Sequence, residues 1–75
     1  MKTIYILHEA HSLCDYNEHE IFMSYEQAKW FFGLTKNSIS SLNDIKEVYT
    51  DDDDEYYVQI DGDSIRLYIT EHTID

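Results

Sequence analysis

The chain has 75 residues, of which 16 are acidic and only five are lysine or arginine, so its formal net charge is −11. This charge repels nucleic acid and anionic membranes, which argues against direct binding to either. The length predicts one small domain spanning residues 1–75, and a single cysteine excludes an internal disulfide and is compatible with the cytoplasm.

The N-terminal segment predicts the first strands of a sheet. Residues Thr3 to Leu7 are apolar, aromatic or β-branched on both alternating faces, which is typical of a central strand covered on both sides. Residues 8–18 are polar and predict a loop or an irregular hairpin connection, and Glu20 to Met23 predict a short second strand. The apolar run before His8 is too short for a signal sequence or a membrane span.

A capping box marks the start of a helix. The Ser24 hydroxyl can accept from the Gln27 N–H, which predicts a helix that begins at Tyr25 and ends near Gly33 or Leu34. Its main apolar stripe consists of Tyr25, Ala28, Phe31 and Phe32.

Trp30 and Leu34 lie on the opposite side of this predicted helix. Residues 35–44 are rich in serine and asparagine and predict a connection with one helical turn that presents Ile39 and Leu42. Because large aromatic side chains are usually covered, we expect this connection to bury Trp30, which favours a core role over an exposed interface anchor.

The C-terminal half predicts a β-meander: strands at 45–50, 56–60 and 64–70, joined by turns at 51–54 and 61–62. The Asp61-Gly62 pair between alternating runs predicts a two-residue hairpin with a type I′ turn. In that register Val58 faces Ile65. One face then receives Tyr56, Val58, Ile60, Ile65, Leu67 and Ile69, and the other receives Glu55, Tyr57, Gln59, Ser64, Arg66, Tyr68 and Thr70.

The negative charge is concentrated in the same half. Residues 44–75 hold eleven acids against Lys46 and Arg66, a net charge of −9, whereas residues 1–43 have a net charge of −2. The run from Asp51 to Glu55 does not match a calcium loop, because an EF-hand requires glycine where Tyr56 stands and glutamate where Gly62 stands. A solvated turn and a protein-facing acidic patch both remain open.

Histidines and one cysteine cluster early in the chain. His8, His11, Cys14 and His19 lack the spacings of known zinc motifs, and on a strand His8 and His11 point to opposite faces. We therefore expect neither a metal nor another cofactor, and a small metal-dependent protein that uses these four residues stays open as a third alternative. Cys14 lacks the sequence signature of a catalytic nucleophile, and so short a chain leaves little room for an enclosed active site.

Tyrosine is unusually frequent, with seven copies. Tyr57 and Tyr68 flank Arg66 on the predicted polar face, where rings interleaved with carboxylates suit the guanidinium groups of a basic partner. For Tyr56, on the predicted core face, the preference of tyrosine for strands is a sufficient explanation.

The chain resembles the small acidic inhibitors of phages and mobile elements, including anti-CRISPR and anti-restriction DNA mimics. The features behind this resemblance are the helix opening at Ser24 to Gln27 after an N-terminal β segment, and the acidic β-rich stretch from Asp51 to Asp63. The resemblance implies that carboxylates on a rigid scaffold occupy the basic channel of a nucleic-acid enzyme, such as a CRISPR or restriction nuclease in the bacterial host cytoplasm.

The sequence therefore predicts an α+β domain with a mostly antiparallel sheet of four or five strands and one main helix on one face. Its expected function is non-enzymatic inhibition of a basic nucleic-acid-binding protein. The expected partner-binding residues are Asp51, Asp52, Asp53, Asp54, Glu55, Asp61, Asp63, Tyr57 and Tyr68. The alternative is an adaptor or self-associating module that uses Trp30 and Leu34 or a sheet edge.

Overall fold

A computed structural model describes residues 1–12 and 16–75. Its elements in chain order are β1 (Lys2–His11), β2 (Tyr16–Phe22), α1 (Tyr25–Leu42), β3 (Glu47–Asp51), β4 (Glu55–Ile60) and β5 (Asp63–Ile74). The strands form one antiparallel sheet in the order β2-β1-β5-β4-β3. The predicted α+β class is confirmed.

The chain direction gives the sheet two distinct ends. At one end, which we call the β3–β4 end, lie residues 52–54, which join β3 to β4, and the start of α1. At the other, the β4–β5 end, lie the turn at residues 61–62 and the last residues of β1. The six residues of β4 connect the two ends, a length of ~20 Å.

The core occupies one side of the sheet, between the sheet and α1. It consists of Leu7, Phe32, Ile39, Tyr56, Val58, Ile65 and Leu67. Val58 pairs with Ile65 and Tyr56 with Leu67, as the hairpin register predicts. Burying these seven side chains, at about 1.5–3 kcal/mol for each aliphatic or phenylalanine side chain, makes this layer the main source of stability.

The helix begins as predicted but is longer. The Ser24 hydroxyl accepts from the Gln27 N–H at 3.2 Å. Residues 35–42, predicted as a connection, continue the helix, and within it the Thr35 hydroxyl donates to the carbonyl of Phe31 at 2.9 Å. Burial of Ile39 adds tertiary stabilisation to this serine-rich segment.

In residues 1–12 and 16–75, no helix combines the length and apolar character needed to cross a bilayer.

The predicted loop or hairpin connection at residues 8–18 is too long, because residues 8–11 and 16–18 belong to two paired strands. β1 continues to His11 and β2 begins at Tyr16, while Cys14 lies outside the described residues. The polar residues remain in strands because β1 pairs with β2 on one side and with β5 on the other. β1 is central, as predicted, but α1 covers only one of its faces.

The Asp61-Gly62 turn is present, but it is not type I′. Gly62 has a φ of 79°, whereas Asp61 does not adopt positive φ. A type I′ turn requires positive φ at both central residues, and this sign pattern is instead that of a type II turn. The glycine therefore supplies the left-handed conformation alone.

Candidate partner-binding surfaces

Asp51, Asp52, Asp53 and Asp54 are exposed at the β3–β4 end, and we call this segment the acidic turn. Its backbone is fixed by two hydrogen bonds. The Asp52 N–H donates to the carbonyl of Glu55 at 2.8 Å, and the Ile69 N–H donates to the carbonyl of Asp54 at 2.9 Å. The second bond anchors the turn to β5, so the carboxylates project from an ordered backbone.

Side chains of α1 also hold the acidic turn. Lys36 pairs with Asp51, Lys29 lies 3.4 Å from the Asp53 carboxylate, and the Tyr25 hydroxyl donates to Asp54. The hydrogen bond to Asp54 raises the pKa of Tyr25 to about 12. Exposed pairs of this kind contribute only about 0–1 kcal/mol each, so a cationic group on a partner can replace the lysines at little cost.

Trp30 lies on the outer face of α1 and is 65% exposed, which contradicts the expectation that it is buried. The predicted cover does not exist, because residues 35–42 extend the helix instead of folding back. Its ring centroid is 5.9 Å from that of Phe31, which in turn contacts Phe22 at 5.5 Å. Leu34 is 47% exposed on the same helix. Together these residues form a partly exposed apolar surface that extends toward β2, the sheet edge opposite β3.

The fold separates Asp61 and Asp63 from the acidic turn, since they lie at the β4–β5 end. Asp61 is exposed. The Asp63 side chain is only 12% exposed, and its carboxylate accepts from the Ser12 hydroxyl at 2.9 Å and from the Ser64 N–H at 2.8 Å. His11 contacts the same carboxylate at 3.4 Å. Asp63 therefore fastens β1 to β5.

Glu55, Tyr57 and Tyr68 lie on the sheet face opposite α1, which we call the open face. Arg66 donates to Glu55 at 2.7 Å, and its guanidinium lies 4.3 Å from the centre of the Tyr68 ring. The sequence predicted these groups as contacts for a partner's guanidinium. In the structure the chain's own Arg66 occupies that place.

His8 and His11 lie on opposite faces of β1, as expected for residues of a strand three positions apart. His8 on the open face lies 2.8 Å from His19, Nδ1 to Nδ1, and 2.7 Å from the Thr70 hydroxyl, which also contacts His72 at 2.9 Å. Partial burial, followed by the nearby His19, lowers the pKa of His8. Among residues 1–12 and 16–75, no three histidine, cysteine or acidic side chains are arranged to hold a metal ion.

Charge is distributed unequally between the two sides of the molecule. On the open face the charged residues are Glu47, Glu55, Lys2 and Arg66, with a formal sum of zero. The remaining described residues contain thirteen acids and three lysines. The acidity therefore lies on the helix side of the sheet and in the turns, where any electrostatic attraction of a basic partner has to occur.

The contacts to the acidic turn were not predictable from local sequence. Tyr25 and Asp54 are 29 positions apart, and Lys36 and Asp51 are 15 apart, so no short motif connects them. Sequence reasoning accordingly missed Tyr25, Lys29 and Lys36.

No protein-family model, curated protein or solved structure matches this chain, and no family assignment follows from such comparisons.

Proposed function

We propose that this protein is a non-enzymatic inhibitor that binds the basic nucleic-acid channel of a bacterial defence protein, such as a Cas or restriction nuclease, and excludes the nucleic acid. The observation that carries this proposal is the acidic turn: four exposed aspartates on a backbone anchored to β5 and braced by α1. An ordered array of carboxylates can replace phosphates without the entropy cost of ordering a flexible tail.

The neighbouring helix supports a protein partner. Trp30 and Leu34 offer exposed apolar area on the outer face of α1, and interfaces commonly combine an aromatic anchor with charged contacts. A basic channel would contribute arginines that pair with the aspartates and displace Lys29 and Lys36. Asp63 is excluded from this site by its internal hydrogen bonds, so the proposed surface is smaller than the set of acids that the sequence indicated.

The test is displacement of fluorescent DNA from a panel of purified CRISPR and restriction nucleases. The decisive variant is D51N/D52N/D53N. At a cost of about 1 kcal/mol per engaged carboxylate, it should inhibit at least about tenfold less well, and the loss should shrink as salt is raised.

The matched control is D44N/E47Q/D61N, which removes three carboxylates remote from the acidic turn. It also breaks one lysine pair, Asp44 with Lys46, just as the first variant breaks pairs with Lys36 and Lys29. Equal losses in the two variants would mean that net charge alone acts. Undiminished inhibition by D51N/D52N/D53N would contradict the proposal.

The second candidate is an adaptor that uses Trp30 and Leu34 as its main contacts, and the 65% exposure of Trp30 favours it. Binding by such a surface should depend weakly on salt, because the contact is apolar. Trp30→Ala should then abolish partner binding while D51N/D52N/D53N leaves it intact. Circular dichroism and a denaturant melt verify that Trp30→Ala is folded.

A further inference from the structure

The open face is an uncovered sheet surface on which isoleucines and aromatic rings lie among polar and charged side chains. Its isoleucines and rings are Ile4, Ile6, Ile21, Ile74, Tyr49, Tyr57, Tyr68, His8, His19 and His72. Nothing in the described part of the chain packs over it, since α1 lies on the other side. Ile21 is 63% exposed and Ile74 is 49% exposed.

The aromatic groups on this face are already ordered by contacts with one another. The His8 ring stacks on Tyr68 with 4.5 Å between centroids, and Tyr49 lies 4.9 Å from Tyr57. The Tyr49 hydroxyl also donates to Gln59 at 2.5 Å. Because these side chains are held in place, covering them costs little additional conformational entropy.

The charge distribution favours a second copy of this chain as the partner of the open face. The open face is formally neutral, whereas the rest of the described chain carries ten more acids than lysines. Two copies that approach through the helix side oppose like charges, which costs free energy. Approach through the open faces brings together neutral surfaces and leaves the acidic surfaces pointing away from each other. The face also lacks the excess cations that nucleic acid requires.

The area is of the right size for a dimer. Five strands at a spacing of ~4.8 Å span ~24 Å, and six to ten residues along the strands span ~20–33 Å, which gives a projected area of roughly 500–800 Å² per copy. A standard interface buries about 800 Å² on each partner.

We propose that the open face binds the open face of a second copy, giving a two-layer β-sandwich with the two helices outside. Antiparallel sheets pack face to face ~10 Å apart with their inner side chains interdigitating. This inference goes beyond the proposed inhibition and uses a different surface. The resulting dimer displays two acidic turns.

The test is the mass of the protein by light scattering coupled to gel filtration, from micromolar to millimolar concentration. Wild type should reach twice the mass of one chain. Ile6→Lys places a cation near the centre of the open face and should weaken the dimer at least about tenfold. Because this substitution makes the net charge less negative, general repulsion between copies cannot account for the loss.

Trp30→Lys is the matched control, since it makes the same charge change on the outer face of α1 and should leave the dimer intact. Ile21→Lys, on an edge strand and well exposed, decides the question if Ile6→Lys fails to fold by circular dichroism. A wild type that stays monomeric at millimolar concentration overturns the proposal. So does a dimer that survives the open-face substitutions and dissociates with Trp30→Lys.

Discussion

Gly33 lies in the interior of α1, where a glycine is unfavourable. No heavy atom of the surrounding structure comes within 4 Å of the position that a Cβ would take. Gly33→Ala should therefore raise the free energy of unfolding by about 1 kcal/mol, because alanine restricts the unfolded chain and favours the helix. Urea melts measure the change.

Gly62→Ala is the control for this prediction. Gly62 has a φ of 79° in the β4–β5 turn, so the added Cβ should destabilise the protein although it also meets open space. A decrease in stability for Gly33→Ala would show that the middle of α1 is not regular helix.

His8 makes the stability of the protein depend on pH. Its pKa is lowered from 6.5 in the folded chain, chiefly by partial burial and then by His19, His72 and Arg66. The folded state thus prefers the neutral ring, and this contribution to stability is complete above pH 6.5 and is lost as the pH falls through the folded pKa. Thermal melts should show destabilisation on acidification below pH 6.5, and part of it should disappear in His8→Gln.

Nuclear magnetic resonance provides a direct check of this mechanism, because the ring protons of each histidine titrate separately. His8 should titrate below 6.5, and a higher value would contradict the proposed preference for the neutral ring. Substituting His19 should raise the pKa of His8, since it removes a nearby group that disfavours the charged form.

At the scale of elements, β5 contributes the most buried part of the core. Leu67 is 0% exposed and pairs with Tyr56. Leu67→Ala should lower the free energy of unfolding by ~2–5 kcal/mol, a large share of the stability of a domain this small. Arg66→Ala, at the adjacent position on the open face, should have a much smaller effect. Equal shifts of the urea midpoint would contradict the assignment of faces.

The β4–β5 hairpin was predictable because the residues that determine it are close together in sequence. Alternating apolar residues on both sides of Asp61-Gly62 fix the register, and the pairing of Val58 with Ile65 follows directly. Even here the turn type differed, since sequence does not report φ at Asp61.

The full length of α1 was not predictable in the same way. The run of serines after Gly33 has weak helix propensity, and what keeps it helical is the burial of Ile39 against a sheet formed by distant residues. The wrong prediction that Trp30 is buried follows from the same error in the length of α1. Likewise, the polar end of β1 is a strand because β2 and β5 flank it, which residues 8–11 alone do not reveal.

For the candidate site, the sequence indicated where the acidic residues are concentrated, but not which of their carboxylates are available to a partner. Asp51 to Asp54 are exposed, whereas Asp63 is engaged by Ser12 and Ser64. Acids that are close in sequence also separate when a strand lies between them, as β4 does here. The engagement of Asp63 depends on a contact across 51 positions, that of Ser12 with Asp63, which no local pattern reveals.

At the scale of the whole molecule, a net charge of −11 on 75 residues produces self-repulsion. Raising monovalent salt from low to physiological concentration should therefore increase the melting temperature, because screening weakens repulsion among the exposed acids. Differential scanning fluorimetry with sodium chloride measures this, with tetramethylammonium chloride as a control for specific cation binding. A flat response would mean that the acids are neutralised within the fold.

The central position of β5 has a kinetic consequence. β5 joins β1 to β4, and its pairs with β1 connect residues 54 to 72 positions apart in sequence. Such long loops have to close, at a cost in chain entropy, before the contacts between the strands can stabilise the sheet. We therefore expect the sheet to fold on a millisecond-to-second timescale. The chain has no proline, which removes the usual source of phases of tens of seconds. Stopped-flow refolding of dilute protein should accordingly give a single phase, and an additional phase of tens of seconds would contradict this account.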